Sequence, residues 1–362
     1  MKCNKAQLEA WLTAVWYTNQ PVNPVAQLLL HGLSLIYQLA RFVTRQATQI
    51  RQAKQATKPV VLVVGNLIAG GAGKTPIVCA ICQTLQQRGF QVGILSRGYQ
   101  RKSQKLLIIP PHTTPDPAQC GDEPAWLAQE TNCPIAVGAN RKQALQQLTH
   151  QYPNLDFIVC DDGLQHGQLP RSIEWVVFDA RGAGNRKQLP AGPLREPLSR
   201  LNEVDAILLN NLTGQQLAAQ LQLPLNHTPV YEVSLHLTGF INQSTRELLT
   251  ISEALKRFSN QPVIAFTGLA YPDKFFKLLK TNGFALGQQI ALPDHYDYPN
   301  NYHDTLDAEI ALTTGKDAVK LSHCAKNVWV ACFKLSLPEK LIEQLIQHLQ
   351  QPVGSQSGRT NC

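Results

Sequence analysis

The sequence predicts an α/β protein: a mostly parallel sheet with helices on both faces, a smaller C-terminal α/β domain, and an N-terminal amphipathic helix. Three observations predict it. Short β-branched apolar runs alternate with helical patterns, as parallel strands joined by crossover helices do. The run PVVLVVG, Pro59 to Gly65, is apolar throughout, as a strand buried on both faces must be. A long apolar segment with one polar stripe, Val25 to Arg45, stands ahead of that strand.

At 362 residues the chain is long for one core, and two domains are expected. With 44% hydrophobic and 16% charged residues it is globular rather than disordered. Its nine cysteines are irregularly spaced and no secretory signal opens the chain, so reduced thiols in a cytosolic compartment are expected. Cys79 and Cys82 form a CxxC that no second pair completes into a zinc site. They read as small buried helix residues.

The N-terminal segment carries most of the net charge of +8. Up to Lys58 it holds seven basic residues (Lys2, Lys5, Arg41, Arg45, Arg51, Lys54, Lys58) against the single acid Glu9. Within Val25–Arg45, the polar residues Gln27, His31, Ser34, Gln38, Arg41 and Arg45 recur at steps of four and three. They share one face of a helix. The apolar arc around the rest is wider than a core-facing helix needs, and a spanning helix would lack the stripe. A helix lying in the interface of an anionic membrane fits best, with Trp11, Trp16, Tyr17 and Tyr37 nearby. The apolar surface is too large for a nucleic-acid arm, so no nucleic-acid partner is expected.

The first strand runs into GNLIAGGAGKTP, Gly65 to Pro76, and then a helical pattern to Arg88. Strand, glycine-rich turn, Lys-Thr and helix is the P-loop arrangement. The loop Ile68, Ala69, Gly70, Gly71, Ala72, Gly73 turns backbone N–H groups toward phosphate oxygens at a helix N-terminus. Lys74 reaches the β- and γ-phosphates of ATP, and the Thr75 hydroxyl can ligate Mg²⁺. Ile68 stands where the strict pattern has glycine. The apolar run Phe157–Cys160 ends in Asp161 and Asp162, at the edge of an open sheet where ligands bind. Adjacent carboxylates there call for a cation.

Further strands are expected at QVGILS, PIAV, IEWVVFD (Ile173–Asp179) and VDAILLN (Val204–Asn210). A helix should open at Gly121-Asp122-Glu123-Pro124, and Arg141 and Lys142 should sit in a turn. LPAGPLREP, Leu189 to Pro197, reads as an ordered functional loop. The alternation from Val230 to about Glu247 reads as an antiparallel ribbon. A second α/β set follows, with strands at PVIAFTG, EIALTT and NVWVACF and a helix around Asp273–Thr281. The expected domains are residues 1–58 (membrane-associating helical segment), 59–229 (P-loop core), 230–250 (β-ribbon connection), 251–350 (smaller α/β domain) and 351–362 (frayed tail). His295, between Asp294 and Tyr296 after a strand-like run, and His166, in DDGLQH, are candidates for either a structural or a functional role.

Taken in order, GNLIAGGAGKTP, SRGY, GDEP, GANR, DDGLQH, LPAGPLREP, PDHYDY and TTGKDAVK resemble the tetraacyldisaccharide 4'-kinase family from Pro59 to Lys320. The resemblance implies transfer of the γ-phosphoryl of ATP to the 4'-hydroxyl of an acylated glucosamine disaccharide 1-phosphate. The product would be lipid IVA, a step of lipid A synthesis at the cytoplasmic face of the inner membrane. It implies that Asp122 is the general base and His295 its partner. Their separation in sequence suggests a pair assembled by domain closure. It further implies that Asp161 and Asp162 handle Mg²⁺, with Glu196 as a third acid. Arg97, Glu123, Arg141, Gln165 and His166 would line the substrate region. No obligate protein partner is implied. The chain departs from the family at Gly315, where an acid is usual, and at Gly167-Gln168, where an aromatic-basic pair is common. A membrane-recruited P-loop ATPase switch is the alternative, but it would carry a Lys where Ala69 stands. A GTP-dependent metal chaperone would need guanine-reading and metal-ligand motifs that are not found.

Overall fold

The computed structural model describes residues 5–18, 22–49, 58–221, 228–259, 261–299, 301–306, 308–321 and 326–350. Lys2, Arg51, Lys54 and the expected tail 351–362 lie outside the described residues.

The chain opens with α1 (Lys5–Tyr17) and α2 (Pro24–Gln49), then β1 (Val60–Gly65) and α3 (Lys74–Gln87). β2 (Val92–Ser96), β3 (Leu107–Ile109), α4 (Pro117–Cys120), α5 (Asp122–Thr131) and β4 (Ile135–Val137) follow. Next are α6 (Arg141–Gln151), β5 (Phe157–Asp161), β6 (Ile173–Asp179), β7 (Ala206–Asn210), α7 (Gly214–Leu221) and β8 (Val230–Asn242). β9 (Leu248–Thr250), α8 (Ile251–Phe258), β10 (Val263–Thr267), α9 (Pro272–Thr281) and β11 (Gln288–Ala291) come after it. β12 (Ile310–Thr313), α10 (Gly315–Ala318), β13 (Val328–Ser336) and α11 (Glu339–Gln350) complete the order.

These elements form two compact units. One takes in the chain up to Leu95, Asn140–Ser234 and the chain from Leu337; the other takes in Ser96–Ala139 and Leu235–Ser336. A single cut after residue 229 therefore does not describe the chain. Residues 96–139 join the C-terminal half, and α11 returns to the first unit, where Tyr231 Oη donates to Gln344 at 2.8 Å. The expected ribbon is also different. β8 is one strand that carries the chain from the first unit to the second. Val230–Val233 region residues pair parallel with β7, and Gly239–Ile241 pair antiparallel with β9. Alternation reports which face of a strand is buried, not the direction of its partner, so the sequence could not separate the two.

In the first unit the strand order is β8-β7-β6-β1-β5-β2, with every pairing parallel. β1, β5, β6 and β7 are buried along their whole length, as continuous apolar runs require. Val64 is in register with Asp161, so the P-loop and the acidic pair leave the sheet side by side. Cys79 and Cys82 are buried on α3, as expected.

α2 is a helix over the whole predicted segment, with an outcome the stripe alone did not give. Ser34, Arg41 and Arg45 of the polar stripe face the protein together with Tyr37, while Gln27 and Gln38 stay exposed. Ser34 Oγ donates to the Gln188 carbonyl at 3.0 Å, Tyr37 Oη donates to the Arg195 carbonyl at 3.0 Å, and Arg41 pairs with Glu196 at 3.5 Å. Arg45 pairs with Glu203. Those two cations are thus answered from within the first unit. The apolar arc points away: Val25, Leu28, Leu29, Leu33, Leu35, Ile36, Leu39, Phe42 and Val43 are all exposed, Leu28 by 74%.

In the second unit β11-β10-β12-β13 is again parallel, and β3 pairs antiparallel with β4. Phe240, Phe258, Phe275, Phe276, Phe284 and Trp329 fill its core. Aromatic rings meet there edge to face, as at Phe240–Phe284, 5.1 Å between centroids.

Candidate active site

The chemistry-bearing residues gather at strand ends in each unit. In the first, Gly73 caps α3 in the left-handed conformation at φ 75°. A side chain there would be strained and would also meet Asn210 Nδ2 at 2.4 Å, so the turn itself demands glycine. Gly71 differs. It is exposed, and a Cβ built on it meets nothing within 4 Å. Nothing in the fold needs glycine at 71, whereas a ligand approaching the backbone would.

Lys74 is buried, and two side chains place its ammonium. Asn66 Oδ1 accepts from Nζ at 3.1 Å, and Asp162 Oδ1 lies 3.3 Å away. Asn66 also donates to the carbonyls of Ile68 (2.9 Å) and Gly70 (3.2 Å), bracing the loop from within. Asp162 has a left-handed backbone, φ 54°, uncommon outside glycine. Burial opposes ionisation of its carboxyl, but the charges of Lys74 and Arg195 prevail and hold its pKa below the usual value.

The segment Leu189–Pro197 lies along the P-loop like an added strand. Ala69 N donates to Pro193 O at 2.8 Å, Arg195 N donates to Leu67 O at 2.6 Å, and Ile68 forms a bridge with Leu194. This explains the departure at Ile68. Its side chain is fully buried beneath that segment, where glycine would leave a void. Gln165 Nε2 donates to Asn66 O (3.1 Å) and to Glu196 Oε1 (2.9 Å). Arg181, paired with Asp179, donates to Gly71 O at 2.5 Å.

The first unit therefore brings together Ile68, Ala69, Gly70, Gly71, Ala72, Gly73, Lys74, Thr75, Asp162 and Gln165, with Asp161 at the end of β5. Glu196 is buried and engaged by Gln165, Arg41 and Arg200, the two arginines each at 3.5 Å. These contacts anchor its loop. Arg141 begins α6 rather than lying in a turn and is among the most buried side chains. It sits close enough to Cys160 to oppose the rise that burial gives that thiol, whose pKa is pushed up to about 11. His166 is half-buried and turns the chain, its N–H bonded to Gly163 O at 3.0 Å.

A divalent cation of the magnesium kind needs hard oxygen donors, one or two carboxylates beside substrate phosphates. The Asp162 carboxylate and Thr75 hydroxyl are of that chemistry. No cluster of three or more His, Cys, Asp or Glu occurs among the described residues.

In the second unit Asp122 opens α5, where the helix dipole favours a carboxylate. His295 Nδ1 lies 3.0 Å from Asp122 Oδ2. Both residues belong to this unit, so no closure of one domain on another is needed to assemble the pair. Residues 173 positions apart meet because α5 packs against α10, where Lys316 pairs with Glu123, and Lys320 just beyond α10 holds the Tyr296 carbonyl of the His295 loop. His295 has φ 59°, and its N–H is held by Gly268 O at 3.1 Å. Tyr99 lies against the imidazole, 5.4 Å between centroids.

The hydrogen bond to Asp122 raises the His295 pKa against the effect of burial, with the Asp294 charge adding to it. For Asp122, burial works upward, but the His295 hydrogen bond and the Lys320 charge outweigh it and the pKa falls. Lys320 is a residue the sequence reading missed: Nζ is 3.0 Å from Asp122 Oδ2. Glu123 pairs with Lys316 at 2.5 Å, and Arg97 is exposed.

The family model for tetraacyldisaccharide-1-P 4'-kinase matches residues 26–350. A tetraacyldisaccharide 4'-kinase of Polaromonas naphthalenivorans is 40% identical over 315 residues, covering 87% of this chain and 84% of the relative. One from Neisseria gonorrhoeae is 39% identical over 336 residues, covering 90% and 94%. The crystal structure of the "apo" form of LpxK from Aquifex aeolicus in complex with ATP matches with a TM-score of 0.72 at 27% identity, covering 90% of this chain and 99% of that one. A P-loop, an acidic strand end and a carboxylate–imidazole pair, carried by a match along nearly the whole chain, make this protein a member of the tetraacyldisaccharide-1-P 4'-kinase family.

Proposed function

We propose that this chain transfers the γ-phosphoryl of ATP to the 4'-hydroxyl of tetraacyldisaccharide 1-phosphate, forming lipid IVA in lipid A synthesis. The observation that carries the reading is the hydrogen-bonded Asp122–His295 pair. A P-loop alone would serve a membrane-recruited ATPase switch as well. A half-buried carboxylate held ionised beside an imidazole is what an alcohol acceptor requires.

The roles divide by unit. In the first, the backbone of Ile68–Gly73 cradles ATP phosphates, and Lys74, held by Asn66 and Asp162, neutralises charge on the γ-phosphoryl. Thr75, Asp161 and Asp162 would hold Mg²⁺, which when bound offsets the charge of the β- and γ-phosphates. In the second, Asp122 takes the proton of the 4'-hydroxyl, and His295 orients the carboxylate and shares the proton. Such a pair titrates as a unit. Arg97, Glu123, Gln165 and His166 are assigned to substrate; Glu196 and Arg141 are assigned to holding the site.

The exposed arc of α2 is assigned to the anionic cytoplasmic face of the inner membrane. No helix among the described residues is long and apolar enough to cross a membrane. An arc of exposed Leu, Ile, Phe and Val on a helix anchored by its polar side suits a surface-lying one.

The test supplies detergent-solubilised protein with labelled ATP, Mg²⁺ and tetraacyldisaccharide 1-phosphate. Label should pass to the lipid, and Asp122→Ala and Lys74→Ala should each abolish transfer. Hydrolysis of ATP without lipid labelling would reject the kinase reading in favour of the switch.

A further inference from the structure

Three groups converge on the ammonium of Lys320. Asp122 Oδ2 lies 3.0 Å from Nζ, the Tyr296 carbonyl accepts at 2.9 Å, and the Tyr298 ring lies 5.1 Å below the charge. A lysine on a flexible stem usually offers a loosely placed charge. This one is fixed from three sides, and its side chain is only 10% exposed.

Lys320 and His295 approach the same carboxylate oxygen, Oδ2. Among the described residues nothing hydrogen-bonds Oδ1. The two donors thus lock the carboxyl plane and leave one oxygen for a substrate proton. They differ in kind. An imidazole is by nature a group that gains and loses a proton near neutral pH, whereas an amine on an alkyl stem is a fixed point charge.

We propose that Lys320 is a positioning residue for phosphoryl transfer, holding Asp122 ionised and oriented with Oδ1 open to the acceptor hydroxyl whatever the protonation state of His295. This rests on the reading of Asp122 as the base. The remaining titratable groups near the carboxylate within the unit do not substitute for it. Burial pushes the Cys120 thiol up to about 12 and raises the Tyr298 phenol, so both stay neutral. Lys316 is paired with Glu123, and Asp294 is itself an acid beside His295.

The experiment measures kcat and KM against pH for wild type, Lys320→Met, Lys320→Gln, Lys320→Arg and Asp122→Asn, with binding of a fluorescent ATP analogue and thermal melting on each. An opposite charge at this distance lowers a carboxyl pKa by about 1–3 units. Removing it therefore raises the Asp122 pKa, and the acid limb of kcat/KM should move up by about one unit or more in Lys320→Met. Lys320→Gln, which can still donate to the Tyr296 carbonyl, should shift the limb in the same direction. Lys320→Arg should keep the limb near the wild-type position. ATP binding should be unchanged in all of them. A Lys320→Gln enzyme that melts lower but keeps the wild-type acid limb would show a structural role and overturn the proposal. Asp122→Asn with retained turnover would instead reject the base reading beneath it.

Discussion

At the scale of single residues, glycine separates what the fold needs from what a ligand needs. Gly73 is fixed by its positive φ and by Asn210, whereas Gly71 has an ordinary backbone and open space where a Cβ would stand. Gly71→Ala should therefore leave thermal stability within about 0.5 kcal/mol, yet raise KM for ATP at least several-fold. Melting and ATP-dependence measured on the same preparation check both halves; a drop in stability that matches the loss of activity would contradict the ligand argument. Gly315 makes a different case. A Cβ there would lie 2.2 Å from Trp126 Nε1, so the indole occupies the space of the acid the family resemblance leads one to expect. Gly315→Glu should cost about 1–3 kcal/mol through overpacking, and Trp126→Ala in the same chain should relieve part of it. Denaturant unfolding of the two single variants and the pair reads the coupling directly.

At the scale of elements, α2 is joined to the phosphate loop by Tyr37 and by Arg41 of its polar stripe. Tyr37 bonds the carbonyl of Arg195, whose guanidinium reaches Asp162 at 3.4 Å, and Arg41 bonds Glu196, which holds Gln165. Tyr37→Phe removes one hydrogen bond worth about 1 kcal/mol and leaves the apolar arc intact. It should lower kcat several-fold while vesicle flotation stays at the wild-type level. Replacing Leu28, Ile36 and Leu39 with Ser should do the reverse, abolishing flotation and preserving ATP binding. Elements were also where the sequence was most informative. The P-loop and the Asp161-Asp162 strand were legible because their chemistry lies in adjacent residues on strong β-patterns. Arg181 and Lys320 were not, since each reaches a partner distant in sequence that only packing brings near, and Asn66 was not, since an amide inside a glycine-rich turn carries no signal of its own. The stripe on α2 gave the helix but not its orientation, because periodicity shows two faces without saying which one has a partner.

At the scale of the whole molecule, stability against acid follows from where the carboxylates are buried. Glu174 lies on β6 between Arg171 at 2.7 Å and Arg200 at 2.5 Å, all three nearly out of water. Burial raises its pKa, but the Arg200 and Arg171 charges outweigh that and bring it below the ordinary glutamate value. A carboxyl whose folded pKa is depressed contributes stability that is fully present above its unfolded pKa and is lost as pH falls through the folded one. Asp122 and Asp162 shift in the same direction, so their contributions vanish on the same side. The protein should hold its stability from neutral pH down to about pH 4.5, the region of the unfolded carboxyls, and lose it steeply below. Glu174→Gln leaves two buried guanidinium groups facing a neutral amide and should destabilise the first unit by about 3–5 kcal/mol at pH 7. It should also flatten the acid slope, because one of the groups that takes up a proton on unfolding is gone. Two units need not unfold together, so the measurement is amide hydrogen exchange followed across β6 and β7 and, separately, across β10 and β12. Faster exchange in the first pair with the second pair unchanged is the expected result. Equal acceleration in both would mean that the Glu174 cluster supports the entire chain and not the unit that carries it.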